Sequence, residues 1–167
     1  MPVNPLFRWL WKSACQNKHK VFFWLLLQDR ISTRELLRRR HMHLPSYHCA
    51  CCTIGSEETL SHLFFTCPFA QACWIRANLI VSESDPFLAL GEIKEQLHYS
   101  FFMEIIILLC WSIWMQRNDF IFEGILPSSR NYIHNFMKEF ALVILRAKSI
   151  HKAAIFSFPS LFLESVL

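Results

Sequence analysis

The feature that most constrains this chain is a group of three cysteines and one histidine. Cys49 and Cys52 form a Cys-x2-Cys pair, and His62 and Cys67 form a His-x4-Cys pair shortly afterwards. Zinc takes about four sulfur or nitrogen donors in a tetrahedron, and two thiols spaced by two residues can grip one ion from a tight turn. A catalytic zinc usually keeps one position for water, so four protein donors predict a structural zinc site.

The spacing of the second pair restricts the local backbone. Five residues along an α-helix turn the direction of a side chain by about 500°, so His62 and Cys67 on one continuous helix would diverge. Pro68 follows Cys67 and disfavours helical backbone there, so we expect the helix to end between the two. Cys51 or His48 could replace one of the four ligands, and the alternative to a metal site is a turn of buried thiols.

The rest of the sequence predicts a mainly α fold, in which a small zinc-stapled helical domain precedes a helical extension. Ser32 and Glu35 fit a capping box that begins a helix ending near Arg40. A small hairpin around the cysteine loop fits the same pattern. We expect the other helices at about residues 16–27, 57–65, 68–79, 87–98, 101–122 and 129–150.

Three parts of the chain are predicted. Residues 1–80 would form the zinc-binding domain, 81–155 the helical extension and 156–167 a loose tail.

The longest apolar run, residues 105–115, is 11 residues long and contains Ser112. A bilayer span needs about 20 residues, so a buried helix is expected rather than a membrane segment. No secretory signal is recognised and seven cysteines are present, which favours an intracellular protein, nuclear or cytoplasmic.

Positive charge is concentrated at the N-terminal end. Residues 1–48 contain nine Lys or Arg and two Asp or Glu, a net charge of +7. Residues 49–167 contain eight Lys or Arg and eleven Asp or Glu, a net charge of −3. This asymmetry indicates contact with nucleic acid, although composition alone favours the simpler interpretation that helices solvate one face with charged groups. The candidate phosphate contacts are Lys18, Lys20, Arg34, Arg38, Arg39 and Arg40.

Several motifs lie in a characteristic order around the cysteines. They are FRWLWK at 7–12, KHKVFFWLL at 18–26, DRISTRELLRR at 29–39, EETLSHLFFTCP at 57–68 and CW at 73–74, then IWMQRN at 113–118 and FEG at 122–124. In this order the sequence resembles the zinc-binding domain that follows the reverse transcriptase of plant non-LTR (LINE-type) retrotransposons, here as a detached fragment. The resemblance implies that Cys49, Cys52, His62 and Cys67 bind one structural zinc ion.

Catalysis is not expected. Polymerase chemistry needs a close pair of aspartates that hold Mg²⁺, whereas Asp29, Asp85 and Asp119 are scattered. No glycine-rich phosphate loop is present, and we expect no small-molecule substrate.

The alternatives to nucleic-acid binding are a relic without function and a module that docks on a polymerase or another protein. A stripe of apolar residues would supply the docking face unless the helix is simply buried, which we favour: Phe101, Phe102, Ile105, Ile106, Leu109 and Ile113.

Overall fold

The computed structural model describes residues 3–147, which are mainly helical and contain no strand. Seven α-helices and one π-helical turn, which lies between the third and fourth helices, make up this part of the chain. Their bounds are α1 Pro5–Lys12, α2 Asn17–Leu27, α3 Arg34–Arg39, the π-turn His62–Thr66, α4 Pro68–Arg76, α5 Pro86–Gln96, α6 Phe102–Glu123 and α7 Ser129–Arg146. The predicted fold class is therefore confirmed, and the C-terminal residues from 148 onward, including the expected tail 156–167, lie outside the described part.

Helix α6 is the centre of the fold. It packs against α2, α4, α5, α7 and the π-turn, and consecutive residues from Ile105 to Cys110 are fully buried. Among the described residues it is the one helix long and apolar enough to cross a membrane, yet 56% of its most apolar window is buried inside the protein. A helix that is apolar on all sides is expected at the centre of a core.

Because α6 is central, the apolar stripe predicted on it is buried. Ile105, Ile106, Leu109 and Ile113 have no exposed surface, and Phe101 is 4% exposed. The stripe is therefore not a docking face, and the alternative interpretation as an ordinary buried helix is correct. The side chains contact the neighbouring helices instead of a partner protein.

Local sequence signals set most of the helix ends. Asn4 and Ser128 accept backbone N–H bonds at the starts of α1 and α7, which satisfies donors that have no partner within the helix. Gly124 ends α6 in a left-handed conformation with φ of +67°, where a side chain would be strained. Helix α3 is capped by Thr33 rather than by the predicted Ser32, because the Thr33 hydroxyl accepts from Leu36 N at 3.2 Å.

The segment before the second ligand pair differs most from its prediction. A helix is expected over residues 57–65, but Glu57 pairs with His48 across a short antiparallel bridge, and helical backbone begins only at Leu60. The side chain of Glu58 is fully buried, which explains why an acidic pair does not begin a solvated helix here. A single continuous core contains residues from every α-helix except α3, and the proposed boundary at residue 80 stays a prediction.

Candidate metal centre

The first two candidate ligands lie in a hairpin between α3 and the π-turn. Backbone bonds from Cys49 N to Ser56 O (2.8 Å) and from Glu58 N to Tyr47 O (2.9 Å) close this hairpin, which confirms the expected one. Gly55 adopts a φ of +85° in the connecting loop, a conformation that glycine tolerates best. The name zinc hairpin is used below for residues 47–58.

The second pair is arranged by the π-turn. Its wider coil carries the chain from His62 to Cys67, whose backbone N–H donates to His62 O at 2.7 Å. At Cys67 the backbone becomes extended, with ψ of 136°, and Pro68 then begins α4. The helix thus ends at Cys67, as the spacing and the following proline predicted.

The four side chains converge on one point. The Cys49, Cys52 and Cys67 sulfurs and a ring nitrogen of His62 all lie within 4.8 Å of one another. The Cys49 and Cys67 sulfurs are 3.9 Å apart, and Cys52 Sγ lies 3.3 Å from His62 Nε2. Tetrahedral zinc with Zn–S bonds of about 2.3 Å separates two sulfurs by about 3.8 Å, so the spacing fits this metal.

The residues around the cluster support this fit. Thr66 Oγ1 lies 3.3 Å from His62 Nδ1, so the ring can donate to the hydroxyl when Nε2 faces a metal. Neither Cys51 nor His48, the alternative ligands, belongs to the four-residue group. Cys51 instead directs its backbone N–H at the Cys49 sulfur from 3.4 Å, a contact that favours a thiolate.

Without a cation the thiols in this cluster resist ionisation. The hydrogen bond with the Cys51 thiol is the main cause that raises the pKa of Cys49 to about 12. The hydrogen bond with Cys49, followed by burial, raises the pKa of Cys67, while burial raises the pKa of Cys52 and lowers the pKa of His62. A bound divalent cation reverses this balance, because it stabilises thiolates directly.

A buried ion pair holds the zinc hairpin against the helices. Arg117 of α6 donates to Glu58 Oε1 from Nε at 3.1 Å and from Nη2 at 2.7 Å, and the two side chains are 5% and 0% exposed. The same oxygen accepts from Arg34 N at 3.0 Å, and Oε2 accepts from Ala50 N at 3.2 Å, inside the Cys-x2-Cys turn. Arg117 also donates to Ser32 O, so one carboxylate connects α3, the hairpin and α6.

The sequence alone does not pair Glu58 with Arg117. Glu58 and Arg117 are 59 residues apart in the sequence, and each lies in a motif with other charged or polar residues. Neither motif therefore indicates that the two side chains contact each other. The one available signal is the position of Arg117 directly after the apolar run of α6, where a cation is either at the surface or paired.

The candidate phosphate contacts on α2 are engaged with the protein. Lys18 Nζ lies 3.1 Å from Glu139 Oε1 and 5.6 Å from the centre of the Trp111 ring. Lys20 donates to Trp11 O at 3.2 Å. The Lys18 side chain remains 50% exposed, so its ammonium group is still reachable from solvent.

Two arginines of α3 are fastened to the zinc hairpin. Arg34 donates from Nη1 to His48 O at 2.8 Å, and Arg38 forms a 2.7 Å ion pair with Glu57. Both partners belong to the bridge that closes the hairpin. The Arg38 side chain is 53% exposed, so these contacts position the arginines on the surface rather than bury them.

The end of α3 carries the remaining candidates. Arg39 bridges Asp29 at 2.8 Å and Glu35 at 2.6 Å, and it is 46% exposed. Arg40 is exposed and forms no ion pair with any residue in the range 3–147. The six candidates thus lie on two helices, with the lysines on α2 and the arginines on α3 and its C-terminal cap.

The sequence around these four residues is similar to known proteins. Residues 2–74 match the family described as zinc-binding in reverse transcriptase, a segment that contains all four clustered residues. This match covers 73 of the 167 residues of the chain. The match and the four-residue cluster support a zinc-binding segment with one structural zinc ion, as the resemblance to retrotransposon domains implied.

A relative in Arabidopsis thaliana is named as a ribonuclease H protein. It is 31% identical over 70 residues, which are 42% of this chain and 11% of the relative. The chain thus matches about a tenth of that protein's length. No solved structure matches the chain.

Proposed function

We propose that this chain is a non-catalytic module, folded by one zinc ion, that binds nucleic acid through a basic surface around α3. Cys49, Cys52, His62 and Cys67 would be the zinc ligands, and all four coordination positions are then filled by protein. Zinc would supply cross-linking rather than Lewis-acid chemistry, because no position remains for a substrate.

The observation that carries this proposal is the connection between the metal site and the arginines. Arg34 and Arg38 contact opposite sides of the zinc hairpin, at His48 and Glu57, so a metal that orders the hairpin also orders α3. Exposed ion pairs contribute about 0–1 kcal/mol, and phosphate groups can replace their carboxylates at little cost. Arg40 extends the same surface with a free guanidinium. Lys18 and Lys20 would make secondary contacts, since each already binds the protein.

Nucleic-acid binding of this kind depends on salt. Each phosphate contact contributes about 0.9 to the slope of log affinity against log salt for duplex DNA and about 0.7 for single strands. We expect the zinc-loaded chain to bind a twenty-nucleotide oligonucleotide in 50 mM salt. A variant with Gln at Arg38, Arg39 and Arg40 should weaken binding and reduce the slope by about 2–3.

A matched control separates local charge from net charge. Arg130 of α7 is exposed like Arg40, but it lies on another helix. Arg40→Glu should weaken binding several-fold, whereas Arg130→Glu should change it little. Zinc content and circular dichroism confirm that each variant is folded. Equal effects of the two substitutions would contradict a binding surface at α3.

A second function is favoured by the loop after α6. Phe122, Ile125 and Leu126 are 73%, 47% and 72% exposed and follow one another closely in sequence. An exposed apolar group of this kind is typical of a protein interface. Self-association or dependence on a partner for solubility, relieved by Leu126→Ser, would support this docking function, whereas a monomer at high concentration would argue against it.

A further inference from the structure

A cavity of about 560 Å³ lies between α3, the chain that leads into the zinc hairpin, and the C-terminal half of α6. Its volume falls within the range of small-ligand sites, which are mostly apolar with a few polar groups. Its lining fits that description: Ser32, Arg34, Leu37, Leu44, Pro45, Ser46, Trp114, Arg117, Asn118, Ile121 and Phe122.

The charges of this lining favour an anionic ligand. It contains two arginines and no carboxylate. The charge of Arg117 is neutralised by Glu58, whereas Arg34 donates only one guanidinium N–H, to His48 O. The other donors of Arg34 can bind phosphate oxygens in a bidentate manner. Arg40 is exposed, lies between the lining residues Leu37 and Leu44 in sequence, and adds positive charge.

The apolar part of the lining suits a flat ring. Phe122 is 73% exposed at the cavity and offers a free aromatic face. The Trp114 ring is covered by the Arg117 guanidinium at 4.7 Å and packs against Phe64. Asn118 Oδ1 accepts from Arg117 Nη1, which leaves the amide N–H₂ free to donate to an acceptor on a base edge.

We propose that this cavity binds one unpaired base of a single-stranded nucleic acid, with the flanking phosphates on Arg34 and the adjacent basic surface. A base and its phosphate combine the flat apolar group and the anion that the lining requires. This inference rests on the proposed function and deepens it, because it makes single strands the preferred partner. Stacking of one base on an aromatic side chain contributes about 1–3 kcal/mol.

The test compares two ligands with equal charge. The zinc-loaded full chain is titrated with a twelve-nucleotide oligothymidylate and with an abasic oligonucleotide of the same length. We expect the oligothymidylate to bind about tenfold more tightly, with similar salt slopes. Phe122→Ala should remove this difference. Ile80→Ala is the matched control, because Ile80 is 70% exposed but lies outside the cavity, and it should retain the difference.

The outcomes distinguish this inference from the proposed function. Equal, salt-dependent binding of both oligonucleotides would overturn the base site and leave the basic surface intact. No binding of either would overturn both. If Phe122→Ala retains the tenfold preference, bases are bound elsewhere and the cavity assignment is wrong. If Phe122→Ala changes only self-association, the cavity belongs to a protein interface.

Discussion

Replacement of Arg117 by Met should destabilise the protein through Glu58. Met fills a similar volume but supplies no cation, so the fully buried carboxylate loses its only charged partner among residues 3–147. The two N–H bonds at 3.1 and 2.7 Å are lost as well. Breaking a buried ion pair from one side costs about 3–5 kcal/mol, because the remaining charge stays desolvated. For a domain with a total stability of about 5–15 kcal/mol, this is a large fraction.

Urea unfolding of the zinc-loaded chain measures this cost, with circular dichroism as the signal. Arg117→Met is compared with Glu58→Gln and with the double variant. Glu58→Gln leaves Arg117 as the unpaired buried charge, and its one amide oxygen cannot accept both the Arg34 N–H held by Oε1 and the Ala50 N–H held by Oε2, so this variant should also be destabilised. The double variant should be more stable than Arg117→Met alone, because it contains no unpaired buried charge.

A surface pair provides the matched control. Arg39 is about half exposed and pairs with Asp29 at 2.8 Å and with Glu35 at 2.6 Å, so Arg39→Met removes two contacts without leaving a fully buried charge. At about 0–1 kcal/mol for each exposed pair, that substitution should cost about 2 kcal/mol or less. The reasoning is refuted if Arg117→Met costs no more than Arg39→Met, or if the double variant is less stable than either single variant.

Three further predictions follow from the same structure. Removal of zinc with a chelator, or the double substitution Cys49→Ser and His62→Ala, should abolish the bound metal seen by native mass spectrometry and reduce the helical signal. A fragment of residues 1–80 lacks Arg117 and should fail to unfold cooperatively in urea even with zinc. A fragment of residues 1–147 contains Arg117 and should unfold cooperatively. Burial lowers the pKa of His19 from 6.5 to about 4, so the unfolded chain binds the extra proton between these values and stability falls as the pH falls through this window. From pH 7.5 to 5 the wild type should lose more stability than His19→Phe in urea unfolding at saturating zinc.

The sequence predicted the parts of this protein that depend on local signals. Pro68 and the His-x4-Cys spacing indicated a helix that ends at Cys67, and Gly124 marked the end of α6. The convergence of the four candidate ligands was also foreseen, because tetrahedral coordination requires it. Each of these features is encoded within a few residues, so no knowledge of the tertiary structure was needed.

Features that depend on distant contacts were not predictable in this way. The helix expected over residues 57–65 begins only at Leu60, because Glu58 is drawn into a buried pair with Arg117, and this tertiary contact overrides local helix preference at the start of the segment. Likewise, the apolar stripe of α6 has the same sequence pattern whether it is buried or exposed. Only the packing of α2 and α7 against it decides between the two interpretations.

The basic residues show why charge in a sequence is an incomplete guide to binding. The sequence predicts a single cationic region, but Lys18 supports α7 through Glu139, whereas Arg38 supports the zinc hairpin through Glu57. A charge that holds the fold can still bind phosphate when it is half exposed, because its carboxylate partner is only weakly held. Loss of nucleic-acid binding in an arginine variant is therefore interpretable only when zinc content is measured in the same sample, since Arg34 and Arg38 serve the hairpin as well as the surface.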